Sequence, residues 1–83
     1  MTYTIIFSDK AFRQLKKLDP PIQKRIIFAL ERIRIRPENY VTKLVGEQGF
    51  RFRVGDYRVI IDIVQNELQI LILRVGHRKN TYD

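Results

Sequence analysis

Apolar and polar positions alternate near both ends of the chain and follow a helical spacing between them. Tyr3, Ile5 and Phe7 alternate with Thr4 and Ile6, which predicts a strand over residues 2–7. Ser8 is placed to cap a short helix over residues 9–17 with Phe12, Leu15 and Ala11 facing inward. Asp19-Pro20 restarts the chain as an N-cap followed by proline at the first helical position. Ile22, Ile26, Ala29, Leu30 and Ile33 mark the buried stripe of a longer helix, which Arg36-Pro37 is expected to end. Beyond Pro37-Glu38-Asn39 the period changes. Thr42-Lys43-Leu44 reads as an edge strand, followed by strands over residues 49–54, 57–64 and 68–74. The order is that of an α+β fold: an N-terminal strand, an αα-hairpin, then an antiparallel β-meander packed on the helices.

The strand faces differ in chemistry. In Phe50-Arg51-Phe52-Arg53-Val54 the apolar residues share one face and the two arginines the other. Gly55-Asp56 is a two-residue hairpin turn in which glycine supplies the positive φ, so Val54 should pair with Tyr57 and Arg53 should lie opposite Arg58. Like charges opposed across strands are destabilising by a few tenths of a kcal/mol up to about 1. Long arginines can splay apart in solvent, or a polyanion can neutralise them; arginine suits planar, bidentate recognition of phosphate. The last two strands are apolar on both sides and should be central, with one face under the helices and the other only partly covered. A register uncertainty of one residue around Gln65-Asn66 leaves the face of Arg74 open; Asp62 and Glu67 are candidate ion-pair partners for it.

Composition narrows the choices. With 83 residues the chain is expected to form one domain spanning 1–83, burying about 60% of its unfolded surface. Sixteen Lys and Arg against nine Asp and Glu give a formal charge of +7, suited to nucleic acid, an anionic surface or an acidic protein. Lys16, Lys17, Lys24, Arg25 and Arg32 on the helices read as a solvated face. Cysteine is absent, which excludes disulfides and thiolate metal sites. No apolar run exceeds five residues, so no membrane span is expected and the cytoplasm is the default location.

Most catalytic constellations are excluded. One histidine and scattered carboxylates do not make a metal site, so none is assigned, and no other cofactor is implied. The glycines are single turn residues, not a phosphate-cradling loop. What remains is Arg58, His77, Arg78 and Tyr82 at the end of the sheet, with Arg51 and Arg53 nearby and Lys43 and Arg74 as further cations for binding RNA. Such a set suits RNA cleavage, because RNA carries its own nucleophile, the 2′-OH, and needs only alignment, cations for the charge on phosphorus, and modest proton transfer. Arginine stays protonated at neutral pH, so the proton must pass to Tyr82, His77 or water. The product would be a 2′,3′-cyclic phosphate.

The ordered set of an N-terminal Tyr-x-Ile-x-Phe strand, an αα-hairpin, Lys43-Leu44-Val45-Gly46, Phe50-Arg51-Phe52-Arg53-Val54, Gly55-Asp56-Tyr57-Arg58-Val59 and Val75-Gly76-His77-Arg78 with Tyr82 resembles the RelE/ParE superfamily of toxins from type II toxin-antitoxin modules, and within it the RelE-type messenger RNA interferases. The resemblance implies a RelE-like fold, cleavage of mRNA in the ribosomal A site beside 16S-type rRNA, and neutralisation by a RelB-like antitoxin in a hetero-oligomeric complex. It also assigns Arg51 and Arg53 to the family's basic strand pair, Arg58 to the arginine of the Tyr-Arg step, Arg78 to the arginine after the Val-Gly turn, and Tyr82 to the C-terminal tyrosine. Many catalytic relatives carry lysines at the positions of Arg51 and Arg53. Two alternatives stand beside the nuclease: a ParE-like poison of DNA gyrase, and a non-catalytic module that binds RNA or the ribosome.

Overall fold

The structure, a computed structural model, describes residues 1–79. Along the chain come β1 (Thr4–Phe7), α1 (Asp9–Lys16), α2 (Pro20–Arg32), a one-turn 3-10 segment (Pro37–Asn39), β2 (Thr42–Lys43), β3 (Phe50–Val54), β4 (Tyr57–Val64), a second 3-10 turn (Gln65–Glu67) and β5 (Gln69–His77). One sheet holds all five strands in the order β1-β5-β4-β3-β2. β1 runs parallel to β5, and the remaining pairs are antiparallel. The predicted α+β order and the central position of the last two strands are both found.

Local chemistry sets the helix boundaries. Ser8 caps α1 as expected, its Oγ accepting from the Ala11 N–H at 3.0 Å. Asp19 occupies the N-cap of α2, but its backbone carbonyl, not its carboxylate, accepts from Ile22 and Gln23. α2 stops at Arg32, short of the expected Arg36-Pro37 boundary. The reason is a reciprocal pair of bonds to the first strand: the Tyr3 N–H donates to the Arg34 carbonyl, and Arg34 Nε donates to the Tyr3 carbonyl, both at 2.8 Å. These draw residue 34 out of the helix and seat Tyr3 in the core.

α1 and α2 pack on one face of the sheet. Ala11 and Leu15 from α1 and Ile26, Leu30 and Ile33 from α2 meet Phe52, Val59, Ile61, Ile70 and Ile72. Each fully buried Leu or Ile here contributes about 1.5–3 kcal/mol of hydrophobic stabilisation. The expectation that Phe12 faces inward is corrected: it is 53% exposed. In so short a helix Ala11 and Leu15, four residues apart, define the inner face, and Phe12 lies a quarter turn away from it. Lys16 Nζ instead covers its ring at 5.9 Å from the centroid.

An irregularity in the β4–β5 ladder sets what the other face displays. From Val64↔Gln69 to Ile61↔Ile72 the register is constant; then Ile60 pairs with Arg74 and Leu73 is passed over. That single extra residue is a β-bulge. Without it Arg74 would lie opposite Val59 and point into the core; with it Arg74 lies opposite Ile60, on the outer face. α1 anchors the bulged segment. The Ser8 N–H donates to the Ile72 carbonyl at 2.9 Å and its hydroxyl to the Leu73 carbonyl at 3.2 Å, while Gln14 Oε1 accepts from the Val75 N–H at 2.7 Å. β5 outruns β1 here, and side chains of α1 take over the bonds a neighbouring strand would make.

Part of the outer face is covered. Ile60 is only 1% exposed and Leu44 is buried, yet neither belongs to the core under the helices. The segment 44–49 folds over them, held by an Arg74–Glu47 ion pair at 2.9 Å and a Gln48–Asp62 contact at 3.3 Å. Gly49 adopts φ 114°, and a Cβ there would meet the Ile61 carbonyl at 2.9 Å, so the turn into β3 needs glycine for both conformation and space.

Candidate functional site

β3 and β4 pair as the turn chemistry predicts. Val54 lies opposite Tyr57 and Arg53 opposite Arg58, with Gly55 in the left-handed region at φ 58°. Arg51 lies opposite Ile60 in the same ladder. Alternation therefore puts Arg51, Arg53 and Arg58 together on the outer face. Directly opposed Cβ atoms in such a ladder are about 4.5–5.5 Å apart, so Arg53 and Arg58 share one patch of field. Arg53 is exposed, whereas Arg51 and Arg58 are half-buried. Both half-buried arginines engage other groups.

β5 completes this end of the face. Gly76 lies opposite Arg58, so the neighbouring strand offers no side chain to crowd it. Past His77 the backbone extends the ladder by one bond, the Arg78 N–H donating to the Asp56 carbonyl at 2.8 Å. Arg78 follows β5 directly, as the first residue of a turn at the same end of the sheet as Arg58, and its side chain is exposed. The bonds from Ser8 and Gln14 fix β5 just before this point, so α1 indirectly sets where Arg78 emerges.

The other candidate residues are placed differently. His77 pairs with Tyr57 on the helix side of the sheet, its ring edge-on to Tyr57 at 5.4 Å and 80°. Its Nδ1 accepts from the Lys79 N–H at 3.3 Å. It thus stands on the opposite face from Arg58. Lys43 lies opposite Phe50, on the helix-side row, and is exposed. Arg74 shares the arginine face but bonds to Glu47, not to Asp62 or Glu67, and so is committed to holding the covering segment. Tyr82 lies outside the described residues. Among those described, no three histidine or carboxylate groups form a metal site, and no helix is long and apolar enough to cross a membrane.

Some residues that shape the site carried no signal in the sequence. Gln14 looks like any solvated helix residue beside Leu15, and nothing local reveals that it bonds to a strand sixty-one residues away. Glu47 lies in a polar turn, and nothing local reveals that it pairs with Arg74, twenty-seven residues away. Tyr40 was the more detectable: a large aromatic next to a proline turn, 57% exposed in the structure and lining a cleft with Thr42, Arg51 and Arg53.

Arginines gathered at one end of an α+β sheet, with the helices on its back, give a small basic domain whose outer face has the charge to suit a polyanion. Comparison with known proteins makes this specific. Residues 5–82 match the model of the ParE toxin of the type II toxin-antitoxin system parDE. The chain is 34% identical to toxin RelG of Mycobacterium tuberculosis (strain ATCC 25618 / H37Rv) over 85 residues, covering 99% of this chain and 98% of that one. Its fold matches a chain of the toxin-antitoxin complex RelBE2 from M. tuberculosis with a TM-score of 0.85 at 34% identity, over 94% of this chain and 100% of that chain. A chain of the archaeal RelE-RelB complex from Pyrococcus horikoshii OT3 matches with a TM-score of 0.76 at 24% identity, over 98% and 100% of the two chains. The chain belongs to the RelE/ParE superfamily of type II toxin-antitoxin toxins, and the RelE-like fold is shared throughout.

Proposed function

We propose that this toxin is a ribosome-dependent endoribonuclease that cleaves mRNA in the A site and thereby stops translation in the cytoplasm. The observation that carries this reading is the opposition of Arg53 and Arg58 on the outer face, with Arg51 on the same face and Arg78 just past β5 at the same end of the sheet. A fold selected for stability alone would separate such charges; a phosphodiester backbone neutralises them. The 2′-OH attacks the adjacent phosphorus, the bond to the departing 5′-oxygen breaks, and a 2′,3′-cyclic phosphate and a 5′-hydroxyl result. Arg58 and Arg78 stabilise the charge that develops on the phosphoryl oxygens, and Arg51 and Arg53 hold the flanking phosphates. No arginine accepts the 2′-OH proton at neutral pH. Of the three acceptors considered, His77 is the least suited, because it faces the helix side beside Tyr57; Tyr82 or a water takes the role. Scaffolding by the ribosome, including 16S-type rRNA, supplies the alignment that an open face lacks.

A RelB-like antitoxin neutralises the activity in this reading. Support comes from the M. tuberculosis and P. horikoshii structures, which are toxin-antitoxin complexes, the second with RelB. A ParE-like gyrase poison is the second reading, favoured by the family model itself. One experiment separates them. Ribosomes carrying an mRNA with a single 2′-deoxynucleotide at the cut position should resist cleavage while the all-ribose message is cut to a cyclic phosphate, and gyrase supercoiling should be unaffected. Inhibited supercoiling with both messages intact overturns the nuclease.

A further inference from the structure

We infer that Tyr40, with Thr42, Arg51 and Arg53, forms a nucleotide subsite that stacks one unpaired base of the bound RNA next to the cleavage site; this rests on the nuclease reading above. These four residues line a cleft of about 310 Å³. That lies at the small end of the range for ligand sites, about 300–1,000 Å³, and suits one nucleotide.

Each wall has a matching chemistry. Thr42 and Arg51 are directly opposed across the β2–β3 ladder. Tyr40 lies two residues before Thr42 and lines the cleft with Arg53, which in turn faces Arg58 on the next strand. The two guanidiniums supply fork-shaped donors for phosphate, the threonine hydroxyl a donor and acceptor for ribose or base edge, and the phenol ring a π-face for a base. Among the described residues, no carboxylate lines the cleft. Single-stranded RNA is recognised by this combination of a cationic track and an aromatic platform.

Tyr40 is held in place although its side chain is exposed. Its N–H donates to the Pro37 carbonyl at 3.1 Å, and Pro37 itself is fully buried. The ring therefore projects into solvent from an anchored point of the backbone. Tyr40 and Arg53 also border a larger groove along α2 that carries Lys24, Arg25 and Arg32. An RNA strand leaving the subsite toward the helices would remain on positive charge.

The test is single-turnover cleavage of ribosome-bound mRNA at increasing toxin concentration, comparing wild type with Tyr40→Ala and Tyr40→Phe. Tyr40→Ala should raise the half-saturating concentration about tenfold to a hundredfold and change the plateau rate far less, whereas Tyr40→Phe should remain within about twofold of wild type. Unchanged thermal melting of both variants would confirm that the ring serves no packing role. Wild-type behaviour of Tyr40→Ala, or an equal loss in Tyr40→Phe, overturns the subsite. If wild type cuts nothing on ribosomes, the nuclease reading fails by itself. The subsite is then decided by binding of a short single-stranded RNA: weaker binding by Tyr40→Ala alone upholds it, and equal binding by all three proteins overturns it.

Discussion

Arg74 and Arg53 stand on the same face of the same sheet, yet their surroundings are opposite. Arg74 is ion-paired with Glu47 at 2.9 Å, beneath a segment that also buries Leu44 and Ile60. Arg53 is exposed, opposite a second arginine across the ladder, and part of a cleft that no carboxylate among the described residues lines. The first arrangement resembles what folding alone favours, with a charge balanced and an apolar residue covered. The second opposes folding, since the like-charge pair costs a few tenths of a kcal/mol up to about 1. That cost at one end of a face, while the other end is closed and neutralised, is what makes the open end the proposed functional end.

The largest expected effect comes from removing charge at the open end. Arg58→Ala should lower the plateau rate of ribosome-dependent cleavage about a hundredfold to a thousandfold, the range for loss of one preorganised donor to a transition-state oxyanion. The fold should be retained, with a loss of unfolding free energy no larger than about 1–3 kcal/mol, since the half-buried Arg58 engages other groups. A collapse of stability instead would make Arg58 a structural residue and erase the contrast with Arg74.

Next in size is the support beneath the face. Gln14→Ala removes the acceptor for the buried Val75 N–H and should cost about 1–3 kcal/mol in denaturant unfolding. Gln14→Glu, which keeps an acceptor oxygen, should retain most of that stability and also preserve cleavage. If Gln14→Ala is neutral, α1 does not position the segment leading to Arg78.

The smallest effects give the sharpest comparison. Glu47→Gln should destabilise by about 0.2–1 kcal/mol, as expected for a partly exposed pair. Arg53→Thr should move stability the other way, by a few tenths of a kcal/mol up to about 1, through relief of the opposed charge. Matched urea titrations of the two variants check both signs. The same sign for both would remove the distinction between the two ends.

Sequence patterns carry the fold further than they carry the site. Periodicity and turn chemistry give both helices, the Gly55-Asp56 hairpin and the Arg53–Arg58 opposition, because each is decided within a few residues. Three features are decided at long range and have no local signature. The parallel pairing of β1 with β5 joins the first and last strands. The bulge at Leu73, which turns Arg74 outward, is stabilised by Ser8 across sixty-five positions. The segment 44–49 is tied to the sheet by the Arg74–Glu47 pair and the Gln48–Asp62 contact, between residues 27 and 14 positions apart. The misreading of Phe12 has a different cause: a helix of two turns offers too few apolar positions to fix its inner face. For the site, chain order brings Arg58, His77 and Arg78 together, but strand alternation sends His77 to the other face.

The most direct test of the central claim is primer extension on a defined mRNA in a translating extract, with the wild-type chain and Arg58→Ala side by side. Discrete codon-phased cuts that appear with wild type, are absent on naked RNA and vanish in the variant are the predicted result. Growth arrest by wild type with the message intact would contradict it.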